Sequence, residues 1–183
     1  MSAATSPPFE NFGPGDGEAY RRLARIQTAG VSIITIRRRA DAVGVFAPLL
    51  DGFTATSFIT VSMAPPIILV SASNAGSAFS MLRDAEHFAV NHLGVGQRHL
   101  ADLFATPHDR RGEPFAVHTW TPDAHGVPLL PGALGAWSAT VRELVPAGDH
   151  TLCLGDVTEI HIGGAADALA YHNRRYGSFT PGA

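Results

Sequence analysis

Hydroxyl-bearing and small residues gather at two places in this chain, with a spacing suited to holding a ligand. In Gly52-Phe53-Thr54-Ala55-Thr56-Ser57-Phe58, the hydroxyls of Thr54, Thr56 and Ser57 sit on or beside an extended segment that starts after a glycine. Ser71-Ala72-Ser73-Asn74-Ala75-Gly76-Ser77 follows an apolar run and opens a segment with helical spacing. A hydroxyl- and glycine-rich turn at a helix N-terminus offers backbone N–H groups and the Ser77 hydroxyl to an anion. Small residues let a flat aromatic ring approach the backbone, whose amides can read its edge. Each segment taken singly reads rather as an ordinary turn with an N-cap, since Ser and Asn are common there.

Other chemistries find less support. The nine histidines, at 87, 92, 99, 108, 118, 125, 150, 161 and 172, never form an H-x-H or H-x-x-x-H pair with a neighbouring carboxylate on a helical segment, so no metal site is expected. There is no G-x-S-x-G elbow for a serine hydrolase, and neither G-x-x-x-x-G-K nor G-x-G-x-x-G for a conventional nucleotide domain. Cys153 is the only cysteine. It excludes an intrachain disulfide and reads, inside Leu152-Cys153-Leu154, as a buried small hydrophobe.

The elements that must position these residues come from a chain of 183 residues, 45% hydrophobic and 16% charged. That composition excludes global disorder and fits one domain with a short tail. A net charge of −3 argues against a nucleic-acid binder. All thirteen basic residues are Arg, which codon bias explains. The first seventeen residues, rich in Ser, Pro and Gly, read as a mobile tail ahead of a domain over 18–183. They lack the basic and apolar regions of a secretion signal, and no run approaches the ~20 apolar residues of a membrane span. A soluble cytoplasmic protein is expected.

Residues 18–27 (EAYRRLARIQ) have the spacing of a short amphipathic helix. Strands are expected at 31–36 (VSIITI), in a hairpin within 37–51 interrupted at Pro48, and at 53–62, where small or polar residues alternate with apolar ones. Pro65-Pro66 turns the chain, and 67–70 (IILV) reads as a strand covered on both faces. Helices at 77–82 and 97–104 flank a strand at 87–93; 105–128 reads as a long loop; strands at 137–144, 151–162 and 168–171 close the set. Helices do not alternate regularly with strands, so the expectation is a mainly β, antiparallel barrel, closed or partly closed, with peripheral helices.

Together, and in this order, the two hydroxyl segments resemble a known family. GFTATSFITVSMAPPIILV is similar to the G-[MF]-T-A-x-S-F-x-S-V-S-x-x-P-P signature of flavin reductase-like domains, the FMN-binding split β-barrels. Three further matches follow: Phe88-Ala89-Val90-Asn91; Gly148-Asp149-His150-Thr151 ahead of Gly155-Asp156-Val157; and Tyr171-His172-Asn173-Arg174-Arg175-Tyr176-Gly177. The resemblance spans roughly residues 18–179.

It implies NAD(P)H-dependent reduction of FMN, with FAD also possible. Hydride passes from nicotinamide to flavin N5, and the reduced flavin leaves for a partner monooxygenase. Thr54, Ala55, Thr56 and Ser57 would lie along the ring and ribityl chain. Ser71, Ala72, Ser73, Asn74 and Ser77 would hold the phosphate, Asn91 would line the same pocket, and His172, Arg175 and Tyr176 would receive NADH or NADPH. No acid–base residue is obligatory for this step, so none is assigned a catalytic role. A homodimer with the flavin near the subunit interface is implied too. The alternative on the same fold is a flavin-binding oxidase or oxygenase, or a non-catalytic flavin-binding dimer.

The departures from the family pattern concern the cofactor. Pro114-Phe115 stands where Lys-Phe is usual, leaving Arg110 or Arg111 as the phosphate-side cation. Arg174 replaces a glycine, where it would crowd the nicotinamide or contact its phosphates. Asp51 stands where a His commonly precedes the glycine, and a carboxylate beside the flavin would disfavour its anionic reduced form.

Overall fold

A computed structural model describes residues 9–39, 49–164 and 167–179. The chain opens with helix α1 (Gly17–Ile26), capped by the Asp16 carboxylate, which accepts from the backbone N–H of Glu18 and Ala19. Strands β1 (Ala29–Gly30), β2 (Ser32–Arg38), β3 (Leu50–Ala55), β4 (Phe58–Met63) and β5 (Pro66–Ser73) follow. Helix α2 (Ser77–Asp84) leads into β6 (Ala85–His92) and, after a 3-10 turn, α3 (Arg98–Ala105). The remainder is α4 (His108–Arg111), α5 (Pro114–Val117), β7 (Thr121–Pro122), β8 (Pro128–Leu129), β9 (Gly135–Ala147), β10 (His150–Ile162), β11 (Ala168–His172) and β12 (Arg175–Phe179).

Seven strands form one antiparallel sheet in the order β3-β2-β6-β9-β10-β5-β4. Flat, its two edges would lie ~29 Å apart at about 4.8 Å per strand. Yet β3 and β4, the two edges, are joined by Thr56 and Ser57 alone, a connection that spans at most ~11 Å. The sheet therefore curls until its edges meet. No ladder joins β3 to β4 among the described residues, so the barrel is split at that corner.

Strand alternation divides the apolar residues between two cores. Ile34, Ile36, Phe53, Val70, Phe88 and Val90 fill the barrel interior with Cys153. Val31, Ile33, Leu100, Phe104 and Leu169 lie outside it, under α3 and the small sheet β1-β11-β12. Strand β2 contributes to both and is buried on both faces, which explains its continuous β-branched run.

The mainly β, split-barrel expectation matches this architecture. Several local expectations do not. The segment 53–62 is two strands with a corner at Thr56-Ser57, because alternation persists across the bend and no Gly or Pro marks it. The strand over 67–70 begins at Pro66 and is fully covered on one face only: Ile68, Val70 and Ala72 are buried while Ile67 and Leu69 are half-exposed. The stretch 105–128 holds α4, α5 and β7 rather than being a loop throughout. A further strand, β12, pairs with β11. The hairpin expected within 37–51 lies mostly outside the described residues, as does Pro48.

Candidate functional site

The corner that splits the barrel also opens a cleft of about 910 Å³. Thr56, Ser57, Phe58 and Ile59 form one wall, and Ser32 and His92 contribute polar groups from β2 and β6. The opposite side comes from Arg21 and Arg25 on α1, Thr28 just after it, Tyr171 on β11 and Arg174 in the β11–β12 turn. At the corner the chain has left the β2–β3 ladder and not yet joined the β4–β5 ladder. The backbone N–H groups of Thr56 and Ser57 consequently find no acceptor among the described residues.

Ser57 joins the two hydroxyl segments. Its Oγ donates to the Ser71 carbonyl at 2.6 Å, and its own carbonyl accepts from Ser71 N at 3.2 Å. Beyond Ser71, Ala72 turns its side chain into the barrel core and Ser73 ends β5. The Asn74 carboxamide accepts from Thr151 Oγ1 at 2.7 Å, while Asn74 N donates to the Asp149 carbonyl at 2.9 Å. These bonds lock the turn before α2. Ser77 is the exposed first residue of α2, whose N-cap Gly76 supplies no side-chain acceptor. The first-turn N–H groups therefore face solvent.

Other expected site residues lie elsewhere. Thr54 points outward and donates to the Ala101 carbonyl on α3 at 2.7 Å; Ala55 belongs to the interior core. Asn91 does not line the cleft. It pairs with Ile33 on the outer face of the barrel, fully buried, donating to the Ile33 carbonyl and Thr35 Oγ1 and accepting from Leu130 N. Alternation along β6 brings its neighbour His92 to the cleft instead. Tyr176 also lies off the cleft, with its ring 5.3 Å from Tyr171 and beneath the Arg98 guanidinium. Burial raises its phenol pKa. His172 Nδ1 lies 3.0 Å from Thr28 Oγ1 at the cleft edge, and Arg175 pairs with His172 on an exposed strand.

The structure also corrects two expected substitutions. Asp51 is not beside the cleft wall but 1% exposed, bound by Arg38 Nη2 at 3.0 Å and by Arg111. Arg111 is thus not a free phosphate-side cation, because its guanidinium is spent on Asp51 and on the Gly52 carbonyl. Arg110 is exposed. Arg174 does line the cleft, with φ +63 in the two-residue turn Asn173-Arg174.

Ser32 and His92, like Arg21, Arg25 and Thr28 on the opposite side, are cleft residues that motif reading misses. For Ser32 and His92 the signal was a polar residue at an inward position of an otherwise apolar strand. Burial lowers the pKa of His92, and Phe58 meets its ring edge-on at 4.8 Å. Among the described residues, no group of three or more His, Cys, Asp or Glu side chains is placed to hold a metal ion.

The free amides at Thr56-Ser57, beside an apolar wall, can read the polar edge of a flat heteroaromatic ring. From Ser71 the chain runs through Ser73, the end of β5, and Asn74 toward the uncapped helix end, where an anion would be met by N–H groups. The arginine-bearing side can meet a second anionic ligand.

Comparison with known proteins agrees with this arrangement. The flavin reductase-like domain matches residues 24–180. The chain is 36% identical over 167 residues to an NADH:FMN oxidoreductase of Rhodococcus qingshengii, covering 88% of this chain and 81% of that protein. It is 37% identical over 130 residues to the reductase component of a flavin-dependent trigonelline monooxygenase of Acinetobacter baylyi, covering 71% of this chain and 40% of that protein. Among solved structures, an NADH:FAD oxidoreductase of Streptomyces globisporus C-1027 superposes with a TM-score of 0.82 at 28% identity, covering 96% of this chain and all of that one.

Proposed function

Because the chain belongs to the flavin reductase-like domain family, we propose that it is an NAD(P)H:flavin oxidoreductase that delivers reduced flavin to a partner monooxygenase. The observation that carries this reading is the cleft at the barrel split, where the unpaired amides of Thr56 and Ser57 adjoin the Ser71–Ser77 turn. The similar proteins are named for FMN in one case and FAD in another; the ring common to both is what the corner would bind.

Bound flavin supplies the redox chemistry, its N5 taking the hydride from nicotinamide C4, so that NAD(P)H, a proton and oxidised flavin give NAD(P)⁺ and reduced flavin. This chain's residues bind and orient. Thr56 and Ser57 would donate their N–H groups to the ring edge, and Ser71 would fix Ser57 in place. Ser73, Asn74 and Ser77 would form the phosphate end with the open first turn of α2. His172 and Arg175, with Arg174 lining the cleft, would take the nicotinamide cofactor. Tyr176 supports that turn through its contact with Tyr171, and Thr54, Ala55, Ala72 and Asn91 act through the backbone they hold.

A homodimer belongs to this reading. Ile59, Val61 and Met63 are exposed on edge strand β4, Met63 at 95%, and Ile160 and Ile162 are exposed on β10, Ile162 at 88%. Apolar surface of this kind favours a protein partner. The reading places the enzyme with the reduced nicotinamide pool, in the cytoplasm. No helix among the described residues is long and apolar enough to cross a membrane.

The test is NADH and NADPH oxidation by the purified protein with and without added FMN or FAD. Turnover that rises and saturates with flavin is the expected result. Flavin binding with no turnover by either nicotinamide would overturn the reductase reading and leave a flavin-binding oxidase or scaffold.

A further inference from the structure

Ser32 opens β2, is only 2% exposed, and lines the cleft beside the Thr56-Ser57 corner. Its register partners are Ala55 on β3 and His92 on β6. Ser32 Oγ lies 3.0 Å from His92 Nδ1, and Trp137 Nε1 lies 3.1 Å from His92 Nε2. An indole N–H can only donate, so His92 Nε2 must accept. The proton of the neutral imidazole therefore sits on Nδ1 and is donated to Ser32 Oγ. Burial, which disfavours the imidazolium, works in the same direction.

This chain leaves Ser32 with one role. A lone pair of its oxygen is occupied by His92, and its own O–H has no acceptor among the described residues. A hydroxyl so deeply buried is costly to leave without a partner, and the cleft is where an acceptor can enter. Hydrogen bonds in sequence polarise one another, so Trp137 and His92 strengthen the final donor.

We propose that Ser32 is a flavin-binding residue whose hydroxyl donates to an acceptor atom on the isoalloxazine ring, with His92 and Trp137 as positioning residues that hold it as a donor. This rests on the flavin reading above. It adds a contact from the interior of the barrel, on β2, to those expected from the corner and the turn. Oxidised flavin presents ring carbonyls and unprotonated ring nitrogens, all acceptors. His92 cannot relay a proton in this arrangement, because the Trp137 N–H occupies the nitrogen that would have to be reprotonated.

The experiment is titration of flavin fluorescence and visible absorption against the full chain, with FMN and with riboflavin, which has the ring but no phosphate. Ser32→Ala should weaken both by about tenfold, equivalent to ~1.4 kcal/mol, and shift the bound-flavin absorption bands. Ser32→Thr, which keeps the hydroxyl, should stay within about threefold of wild type and retain the bands. His92→Phe should move the bands toward those of Ser32→Ala while the hydroxyl is still present, which a purely structural role would not do. Thermal melting identifies any variant that has not folded, and Ser32→Thr then decides the case: loss of binding or bands in folded Ser32→Thr would overturn the proposal. Unchanged affinity and bands in folded Ser32→Ala would also overturn it, as would weakened FMN binding with riboflavin unaffected. Failure of the wild type to bind either flavin would instead overturn the flavin reading on which the proposal rests.

Discussion

The Arg111 guanidinium and the Asp51 carboxylate meet with both side chains only 1% exposed, although they lie 60 positions apart in the chain. Arg111 also donates to the Gly52 carbonyl at 2.6 Å and to the carbonyls of Phe104 and Thr106. One guanidinium thus fastens α4 and the end of α3 to the strand that leads into the cleft corner. Asp51 takes a second cation, Arg38, which also reaches Asp84 at 3.4 Å. Removing one member of a buried pair leaves the other charge uncompensated, which costs roughly 3–5 kcal/mol. With Arg38 still beside Asp51, Arg111→Met is expected near the lower end, about 3 kcal/mol. Lysine cannot reproduce the fork that serves a carboxylate and three carbonyls, so Arg111→Lys should recover only part of it. Urea unfolding of the three proteins checks both expectations.

Much of this architecture was legible because strands write their burial into the sequence. The run VSIITI is continuous since β2 is buried on both faces, and helices α1, α2 and α3 announced themselves by spacing. The ion cluster was not legible. Asp51 could be seen only as a carboxylate in an unusual place, because its two arginines arrive from 13 and 60 positions away. The corner at Thr56-Ser57 was hidden for a different reason, since the inward–outward alternation carries through it. Likewise Asn91 was expected in the cleft from its motif, but the alternation of β6 assigns that face to His92. Strand β12 is short and mostly exposed, so it carries no burial pattern to read.

Gly155, one of the motif residues, owes its identity to packing. A Cβ there would lie 2.5 Å from Phe88 Cζ and 3.0 Å from Ala139 Cβ. Phe88 is fully buried at the centre of the barrel and has no free volume to move into. Gly155→Ala should therefore destabilise by about 1–3 kcal/mol, the usual range for overpacking. Pairing it with Phe88→Leu should recover part of that loss. A double-mutant cycle measured by chemical denaturation would show strong coupling; additive losses would contradict the contact.

Two half-buried imidazoles set a pH dependence. His87 is lowered from the ordinary histidine value of 6.5 first by burial and then by His125, whose ring stacks on it at 3.9 Å. Glu86 and Asp123 act in the opposite direction, and Arg37 in the same direction as His125. His92 is lowered by burial alone. Each binds its proton more readily in the unfolded chain, so stability rises with pH through their titration. The contribution is present above about pH 6.5 and is lost as pH falls through the lower folded values. Melting temperature should therefore drop between about pH 7.5 and about pH 5.5. His125→Phe, which keeps a stacked ring without the second charge, should make the drop shallower.

Cys153 is fully buried, and burial pushes its thiol up to about 12. The thiolate is the reactive form, so a thiol-specific chromogenic reagent should not label the native protein near neutral pH. Labelling should follow unfolding in urea, one thiol per chain. Fast labelling of the folded protein would mean that β10 opens locally.

Arg174 offers the clearest separation of stability from function. It occupies the second position of the Asn173-Arg174 turn, at φ +63, after Asn173 at φ +46. Two-residue hairpin turns with both central residues in this left-handed region favour Asn-Gly, and a side chain there costs about 1 kcal/mol. Asn173 already fits and donates its N–H to the Arg25 carbonyl at 2.7 Å, tying the turn to α1. Arg174→Gly should leave that bond in place and stabilise the fold by up to about 1 kcal/mol, less the extra freedom glycine gives the unfolded chain. The Arg174 side chain lines the cleft together with Arg21 and Arg25. If it meets the phosphates of the nicotinamide cofactor, the same variant should raise KM for NADPH more than for NADH while leaving flavin affinity unchanged. Melting and steady-state kinetics on the one variant therefore read the two effects apart. A higher melting temperature with an unchanged KM for both nucleotides would assign Arg174 to the turn alone.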